Sequence, residues 1–470
     1  MYRLLLIVGA AVALAVPGVY SVVTNAAAAP APLAATPALQ TGAAVVYASS
    51  NVVVAGAPAS LAPSPSPSPA DVTPPVTVAT GADARWHNDD VTVHLAATDA
   101  ESGVAYTLYT LDDGAQTNGT TVRVRALKNH ADDGVHTITF FSVDRAQNVE
   151  AAQHVTVKID TTPPSFAWGG VTPGVIEATQ SVKFGFTLRE ASGTVKLAWR
   201  ATDQYGALAA SKGGLTRQPG SREVEVVPRY NDHTAFMPGL YRVQLTLTDQ
   251  AGNSTVSTAK PFRDYRPERA KVWRHVSGAG KRVALTFDDG GAGPWQSMLN
   301  TLKAYHMHAT FFPLGPYAQA SPSLMRRSVA EGNAIGSHGW THTEMTKQSY
   351  SAIRGEWTRS EAPWWNGAGL TPVPYCRPPY GSYNSSVLSA AGSAGFTRVI
   401  LWDVDPTDWS EPGSSVIAQR VLSHVHSGAI VVMHLRSQTA AALPTILSGL
   451  RARGYKAVSL PELFRAAGYR

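Results

Sequence analysis

The C-terminal part of the chain is organised around the sequence Thr-Phe-Asp-Asp-Gly at residues 286–290. It follows the apolar run Val-Ala-Leu at 283–285, so both carboxylates come where a buried strand would end. Asp-Gly is also ordinary turn chemistry. The same Asp-Asp-Gly at 112–114 and 132–134 indicates hairpin turns, so the sequence downstream of residue 290 has to decide between the two interpretations.

Strands and helices alternate between residues 271 and 470. The predicted strands are 283–287, 309–313, 334–336, 374–377, 398–402, 430–433 and 457–459. The predicted helices are 294–305, 323–331, 349–364, 386–394, 415–424 and 443–453. This alternation predicts a small, distorted (β/α) barrel of parallel strands, with an open doubly wound sheet as the alternative.

The chemically useful side chains of this region follow the predicted strands. In chain order they are Asp288, Asp289, His338, His342, Arg377, Tyr380, Asp405, Asp408, Trp409 and His434. Barrel enzymes place their active sites at the carboxyl ends of their strands. The sequence therefore predicts that these side chains share one rim of the barrel.

His338 and His342 lie four positions apart. On a helical turn, two such imidazoles share a face and can bind one ion, although surface histidines are the alternative. Asp288 or Asp289 can complete a site of two histidines and one carboxylate. The other carboxylate is then free to act as a base.

Five ordered motifs in this region resemble those of the polysaccharide deacetylase family, the NodB-type carbohydrate esterases. The resemblance covers about residues 280–465. The motifs are Thr-Phe-Asp-Asp-Gly (286–290), Ser-His-Gly-Trp-Thr-His (337–342), Arg-Pro-Pro-Tyr-Gly (377–381), Asp-Pro-Thr-Asp-Trp (405–409) and Val-Val-Met-His (431–434).

The resemblance implies a ligand set and a base. Asp289, His338 and His342 are expected to hold a divalent metal, most often zinc, with cobalt or a similar ion as alternatives. Asp288 is expected to act as the general base that activates the attacking water, and Arg377 to hold Asp288 in place.

The same resemblance implies the remaining roles. The backbone N–H of Tyr380 is expected to stabilise the oxyanion, and His434 to protonate the leaving amine while Asp408 orients it. Trp409 and Met433 are expected to form the acetyl pocket.

Four positions depart from the family pattern. Gly291 stands where the family usually has proline, and Cys376 stands where an aromatic residue is more usual. Val431 and Met433 replace leucines conservatively. None of these changes removes a ligand or a proton carrier. Cys376 is the only cysteine, so no intramolecular disulfide can form, and we interpret it as a core residue.

The N-terminal residues indicate export. Arg3 precedes an apolar run at 4–16, and small residues follow at 26–29. Residues 1–28 are predicted to be a signal peptide, or an uncleaved signal anchor, and 29–74 an Ala-, Pro- and Ser-rich linker. We therefore expect a secreted or cell-surface protein.

Two phrases recur between the linker and the barrel. Asp-x-x-Pro-Pro occurs at 71–75 and 160–164, and Asp-x-Ala-x-Asn at 144–148 and 249–253. Short strands of period two predict β-sandwiches at 75–162 and 163–265, which resemble bacterial immunoglobulin-like repeats. Asp99 and Glu101 suggest calcium, but we interpret them as solvated turn carboxylates. Residues 263–271 indicate an exposed boundary, so we expect the fragment 271–470 to work alone.

Together these features predict a secreted, metal-dependent polysaccharide deacetylase that hydrolyses N-acetyl groups of a β-1,4-linked amino sugar polymer, of the peptidoglycan or chitin type. The alternatives are an O-acetyl xylan esterase and a catalytically silent cell-surface binding protein. The net charge of +6 favours anionic wall polymers or serves solubility alone. We expect a monomer that binds no nucleic acid and meets a membrane only through an uncleaved N-terminal segment.

Overall fold

The computed structural model describes residues 70–176, 181–226, 237–265 and 267–469. The predicted signal sequence at 1–28 and nearly all of the predicted linker lie outside these ranges. Within them, no helix combines the length and the apolar character needed to cross a membrane.

The first β module consists of two sheets in which most neighbouring strands are antiparallel. Its strands are β1 (Val76–Thr80), β2 (Trp86–His87), β3 (Val91–Thr98), β4 (Val104–Leu111), β5 (Thr117–Asn118), β6 (Thr121–Val124), β7 (Gly134–Asp144) and β8 (Gln153–Ile159). The sheets have the orders β1-β3-β6 and β2-β8-β7-β4-β5. Alternate residues of β3, such as Val93 and Leu95, are buried and share a core with Phe140 and Val157 of the other sheet. This packing is that of a β-sandwich.

The second β module repeats this arrangement. Its strands are β9 (Ser165–Thr172), β10 (Val175–Ile176), β11 (Val182–Arg189), β12 (Val195–Asp203), β13 (Leu208–Arg217), β14 (Gly220–Val226), β15 (Gly239–Thr248), β16 (Ser254–Val256) and β17 (Lys260–Asp264). One sheet is β14-β11-β9 and the other is β10-β17-β15-β12-β13, with β16 on β15. Phe184 and Phe262 join the core between them. The immunoglobulin-like relationship of both modules stays a prediction.

The recurring phrases have a shared structural role. In each module the Asn of Asp-x-Ala-x-Asn donates from Nδ2 to the Asp four residues earlier and to the carbonyl of the Asp that opens the module. Asn148 reaches the carbonyl oxygen of Asp71 at 3.1 Å, and Asn253 reaches that of Asp160 at 2.8 Å. Each Asn thus ties the start of its module to a turn near the end, which explains why the two phrases recur together.

The C-terminal region alternates parallel strands with helices. Its strands are β18 (Lys271–Trp273), β19 (Arg282–Asp289), β20 (Thr310–Pro313), β21 (Ala334–Ile335), β22 (Tyr375–Cys376), β23 (Arg398–Ile400), β24 (Ile430–His434) and β25 (Lys456–Ala457). Its helices are α1 (Ala292–Tyr305), α2 (Gly315–Ala320), α3 (Pro322–Ala330), α4 (Tyr350–Pro363), α5 (Ser385–Ser393), α6 (Ser414–His424), α7 (Ser437–Ala452) and α8 (Leu460–Ala466).

The strands close into a distorted barrel. β21-β20-β19-β24 and β18-β23-β22 are hydrogen-bonded in these orders, and β25 pairs with the start of β19. Two isolated parallel bridges join the two sheets. Ser337 pairs with Cys376 beyond β21, and Val404 pairs with Val431 beyond β23. The predicted (β/α) barrel is therefore confirmed, and the alternative of an open sheet is wrong.

The predicted elements are present with different bounds. Each predicted strand is found, although β21, β22 and β25 are only two residues long. Helix α7 begins at Ser437, six residues before its predicted start, and contains Pro444 within it. The predicted start at Leu443 would put Pro444 in the first turn, where proline is best tolerated. Helices α2 and α8 were not predicted, because both are short.

The second β module packs against the barrel. Gln204 Nε2 donates to the carbonyl of Thr371 at 2.7 Å, and the N–H of Thr371 donates back to Gln204 Oε1 at 3.0 Å. Arg465 pairs with Asp203 at 3.2 Å. The predicted exposed boundary is partly wrong, since Asp264 is fully buried within it.

Candidate active site

Both acidic residues at the end of β19 reach the same cleft. Successive side chains of a regular strand point to opposite faces of the sheet. Asp289 instead has a φ of 73°, in the left-handed region, so its side chain lines the cleft together with that of Asp288. This turn of the backbone is the local reason why adjacent carboxylates can act together.

Asp288 is held by a buried arginine. Arg377 donates from Nη1 to Asp288 Oδ1 at 2.7 Å and to Thr286 Oγ1 at 2.8 Å. Its Nε donates to the carbonyl of Ile400 at 2.8 Å, and its Nη2 to that of Leu401 at 3.2 Å. Arg377 is fully buried and Asp288 is 2% exposed. The position of the Asp288 carboxylate is therefore fixed by the charge of Arg377 and by its hydrogen bond to Oδ1.

Asp289 lies beside the two histidines. Asp289 Oδ1 is 3.6 Å from His338 Nε2 and 3.4 Å from His342 Nε2. This oxygen is buried and has no hydrogen-bond partner among the described residues. His338 Nδ1 is 2.8 Å from the carbonyl of Arg377, which can only accept, so Nδ1 carries the proton and Nε2 presents its lone pair.

The three side chains fit a divalent metal. One ligand atom from each of Asp289, His338 and His342 lies within 4.8 Å of the others. Burial lowers the pKa of His338, against the opposing charges of Asp288 and Asp289, and so favours the neutral imidazole that metals require. Two imidazole nitrogens and one carboxylate oxygen form a donor set that zinc and similar ions accept.

The histidine pair lies on a loop, so the predicted helical turn is wrong. His342 has a φ of 57° and Gly339 a φ of 82°. Glu356 of α4 holds the loop between them: Oε2 accepts the N–H groups of Trp340 and Thr341, each at 2.8 Å. Glu356 was not predicted, because nothing in its local sequence indicates that its helix packs against this loop.

His434 and Asp408 form a second hydrogen-bonded pair. His434 Nδ1 is 2.7 Å from Asp408 Oδ1, and the N–H of His434 donates to Asp408 Oδ2 at 2.8 Å. Thr439 Oγ1 also donates to Asp408 Oδ2, at 2.6 Å, and was not predicted. Burial lowers the pKa of His434, but the hydrogen bond to Asp408 and the charges of nearby carboxylates outweigh it and raise the pKa above its ordinary value.

These groups line one cleft of about 430 Å³. Its lining residues are Asp288, Asp289, His338, His342, Tyr380, Gly381, Trp402, Asp405, Trp409, Val432, His434 and Arg436. Tyr380 and Trp409 are 65% and 56% exposed. Trp402, Val432 and Arg436 were not predicted to belong to the site.

One predicted site residue, Met433, lies outside the cleft. Met433 is fully buried in the core on the helix side of the barrel, with Phe287. The period of two along β24 turns Val432 and His434 to the cleft and Met433 away from it. Cys376 is also fully buried, and burial raises the pKa of its thiol, in agreement with a core role.

Comparison with known proteins identifies the family of the C-terminal region. The sequence profile of the polysaccharide deacetylase family matches residues 275–399. A chitooligosaccharide deacetylase of Rhizobium leguminosarum is 35% identical over 199 residues, which are 39% of this chain and 91% of that protein. The chain described here belongs to the polysaccharide deacetylase family.

Two further proteins match a similar share of this chain. A peptidoglycan-N-acetylglucosamine deacetylase of Listeria monocytogenes is 37% identical over 186 residues, 39% of this chain and 39% of its own length. The chain thus spans well under half of that relative. A family 4 carbohydrate esterase from Streptomyces lividans, solved with acetate, is 36% identical over 38% of this chain and 92% of its own, with a TM-score of 0.36.

Proposed function

We propose that this protein is a secreted, metal-dependent polysaccharide deacetylase that removes N-acetyl groups from a β-1,4-linked amino sugar polymer of the peptidoglycan or chitin type. The observation that carries the proposal is the division of labour between two adjacent carboxylates. Asp289 faces two histidines, and its Oδ1 has no hydrogen-bond donor among the described residues, whereas Asp288 is held by Arg377. Relatives named as deacetylases of such polymers support the substrate class.

Asp289, His338 and His342 would hold the metal. Bound there, a divalent ion such as zinc supplies Lewis acidity to the amide carbonyl and to the attacking water. The hydrogen bond from His338 Nδ1 to the carbonyl of Arg377 keeps Nε2 available as a ligand.

Asp288 acts as the general base. One of its oxygens accepts a hydrogen bond from Arg377, which orients the carboxylate. The carboxylate takes a proton from the water while the water oxygen bonds to the carbonyl carbon. Since Arg377 is fully buried and carries three further hydrogen bonds, the base keeps its position during the reaction.

His434 acts as the general acid, and the N–H of Tyr380 stabilises the oxyanion. The carbon–nitrogen bond breaks as His434 gives a proton to the leaving nitrogen, and the products are acetate and a free amino sugar. An amine leaves poorly unless protonated, so the raised pKa of His434 favours this role. Asp408 and Thr439 keep the imidazole oriented.

The exposed aromatic residues of the cleft suit a sugar chain. Tyr380 and Trp409 flank the candidate catalytic groups and keep more than half of their surface exposed. We assign the apolar wall of the acetyl pocket to Trp409 and Val432, in place of Met433. The two β modules are proposed to be immunoglobulin-like spacers that present the barrel to a wall polymer.

The test is acetate release by the full chain from N-acetyl chitooligosaccharides, peptidoglycan and acetyl-xylan. We expect release from an amino sugar substrate, its loss after exhaustive chelation, and its return with zinc or cobalt. His338→Ala should reproduce the chelated state. Full activity in protein shown by elemental analysis to hold no metal would refute the proposed site, and preference for acetyl-xylan would refute the substrate class.

A further inference from the structure

Three carboxylates converge at the junction of the two β modules. Asp160 lies in the segment between β8 of the first module and β9 of the second, Glu190 follows β11, and Asp249 follows β15. One oxygen from each lies within 4.8 Å of the other two. Three loops that are distant from one another in sequence therefore bring three negative charges together. All three precede the proposed catalytic residues in the chain.

The carboxylate of Asp160 is buried and incompletely paired. Asp160 is 5% exposed, and its Oδ1 accepts the N–H of Thr162 at 3.0 Å. Its Oδ2 is buried without a hydrogen-bond donor anywhere in the described part of the chain. No Lys, Arg or His among the described residues forms an ion pair with Asp160, Glu190 or Asp249. A buried carboxylate beside two others is unfavourable unless something else compensates its charge.

The other two carboxylates are held rigidly. Asp249 Oδ1 accepts the N–H groups of Gly252 and Asn253, and its Oδ2 accepts Asn253 Nδ2 at 2.9 Å. Glu190 Oε1 accepts the N–H and the hydroxyl of Ser192 at 2.8 and 2.9 Å. These neutral donors fix the orientation of the carboxylates without removing their net charge, so the cluster is prepared for a cation.

We propose that Asp160, Glu190 and Asp249 bind a calcium ion. The donor set consists of oxygen alone, which suits hard cations and differs from the nitrogen and oxygen set of the catalytic site. Calcium accepts irregular coordination with additional carbonyl and water oxygens, whereas magnesium demands a near-ideal octahedron. Because Asp160 belongs to the segment that joins the modules, calcium would tie this segment to two loops of the second module.

The first module supplies a matched control. Asp71, Asp99 and Asp144 also bring carboxylate oxygens within 4.8 Å of one another. Both oxygens of Asp71 are paired, however, with the N–H groups of Thr73 at 2.9 Å and Ser102 at 3.1 Å. This cluster has no buried, unpaired carboxylate oxygen within the described ranges, and we expect it to bind calcium far more weakly.

The first experiment is isothermal titration of the chelator-treated full chain with calcium chloride. We expect one binding event that Asp160→Asn weakens by at least about 10-fold. Glu190→Gln should weaken it similarly, and Asp71→Asn should leave it unchanged. The proposal is overturned if the parent protein shows no calcium binding, if both ligand variants bind as the parent does, or if Asp71→Asn loses the event. Equal affinity for magnesium chloride would overturn the choice of calcium.

The second experiment is thermal unfolding with chelator and with calcium. In chelator, Asp160→Asn removes an uncompensated buried charge, so the thermal unfolding midpoint of this variant should equal or exceed that of the parent protein. In calcium, the order should reverse, because only the parent gains stability from the bound ion. The assignment would be refuted by an Asp160→Asn variant that unfolds at a lower temperature than the parent in chelator and whose midpoint rises in calcium by as much as that of the parent.

Discussion

Replacement of Gln204 by alanine tests how far the barrel depends on the second β module. Gln204 is 8% exposed and Thr371, on the barrel, is 1% exposed. The amide of Gln204 satisfies both the N–H and the carbonyl of Thr371, at 3.0 and 2.7 Å. The alanine variant removes both partners and leaves two buried main-chain groups unpaired.

The magnitude follows from those two groups. A buried polar group that loses its partner costs about 1–3 kcal/mol, so Gln204→Ala should lower the free energy of unfolding by about 2–6 kcal/mol. Thr371 lies six residues before Arg377 on the segment that leads into β22. Opening of this contact should therefore loosen the segment that holds the proposed catalytic base, although no proposed catalytic group is removed.

The assay is urea unfolding of the full chain, followed by tryptophan fluorescence. Gln218→Ala is the matched control, since Gln218 lies in the same module and is exposed. The free energy of unfolding of the control should lie within about 0.5 kcal/mol of that of the parent protein. A Gln204→Ala variant indistinguishable from Gln218→Ala would refute the reasoning. That result would support our expectation from the sequence that the fragment 271–470 works alone.

Further predictions concern the proposed chemistry. Asp288→Asn should keep the metal but lose about 10²–10⁴ in kcat, whereas Asp289→Asn should weaken metal binding itself; elemental analysis with rate measurements separates the two. The alkaline limb of the pH–rate profile should report loss of the His434 proton. Asp408→Asn removes the negative charge that helps to raise the pKa of His434 and leaves the burial that lowers it, so this limb should move to lower pH. An unchanged limb would mean that another group sets it. His434→Ala should reduce amide hydrolysis far more than aryl acetate hydrolysis, and equal losses would count against an acid role.

The sequence predicted the barrel and the rim because both depend on local patterns. An apolar run followed by a polar residue marks the end of a buried strand, and parallel strands in a barrel end at one rim. This was enough to bring together Asp288, His338, Arg377 and His434, which line or border one cleft. The predicted start of α7 was wrong for a local reason too, because Pro444 lies within that helix rather than in its first turn.

Residues that act through packing escaped prediction. Glu356 and Thr439 each hold a candidate catalytic segment, yet each lies on a helix whose contact is decided by the tertiary fold. The contact between Gln204 and Thr371 spans 167 residues and involves two positions with no motif. Met433 shows the converse case, in which a motif position was assigned a role that strand alternation gives to Val432.

The proposed catalytic metal site and the proposed calcium site follow one physical rule. A carboxylate oxygen that is buried without a donor is costly, so a protein keeps one only where another group compensates it. Asp289 Oδ1 and Asp160 Oδ2 both meet this description. Around Asp289 the neighbours are imidazoles, and around Asp160 they are carboxylates. Under these two proposals the first set suits a borderline metal such as zinc and the second a hard one such as calcium, so we expect the two sites to be loaded and stripped independently.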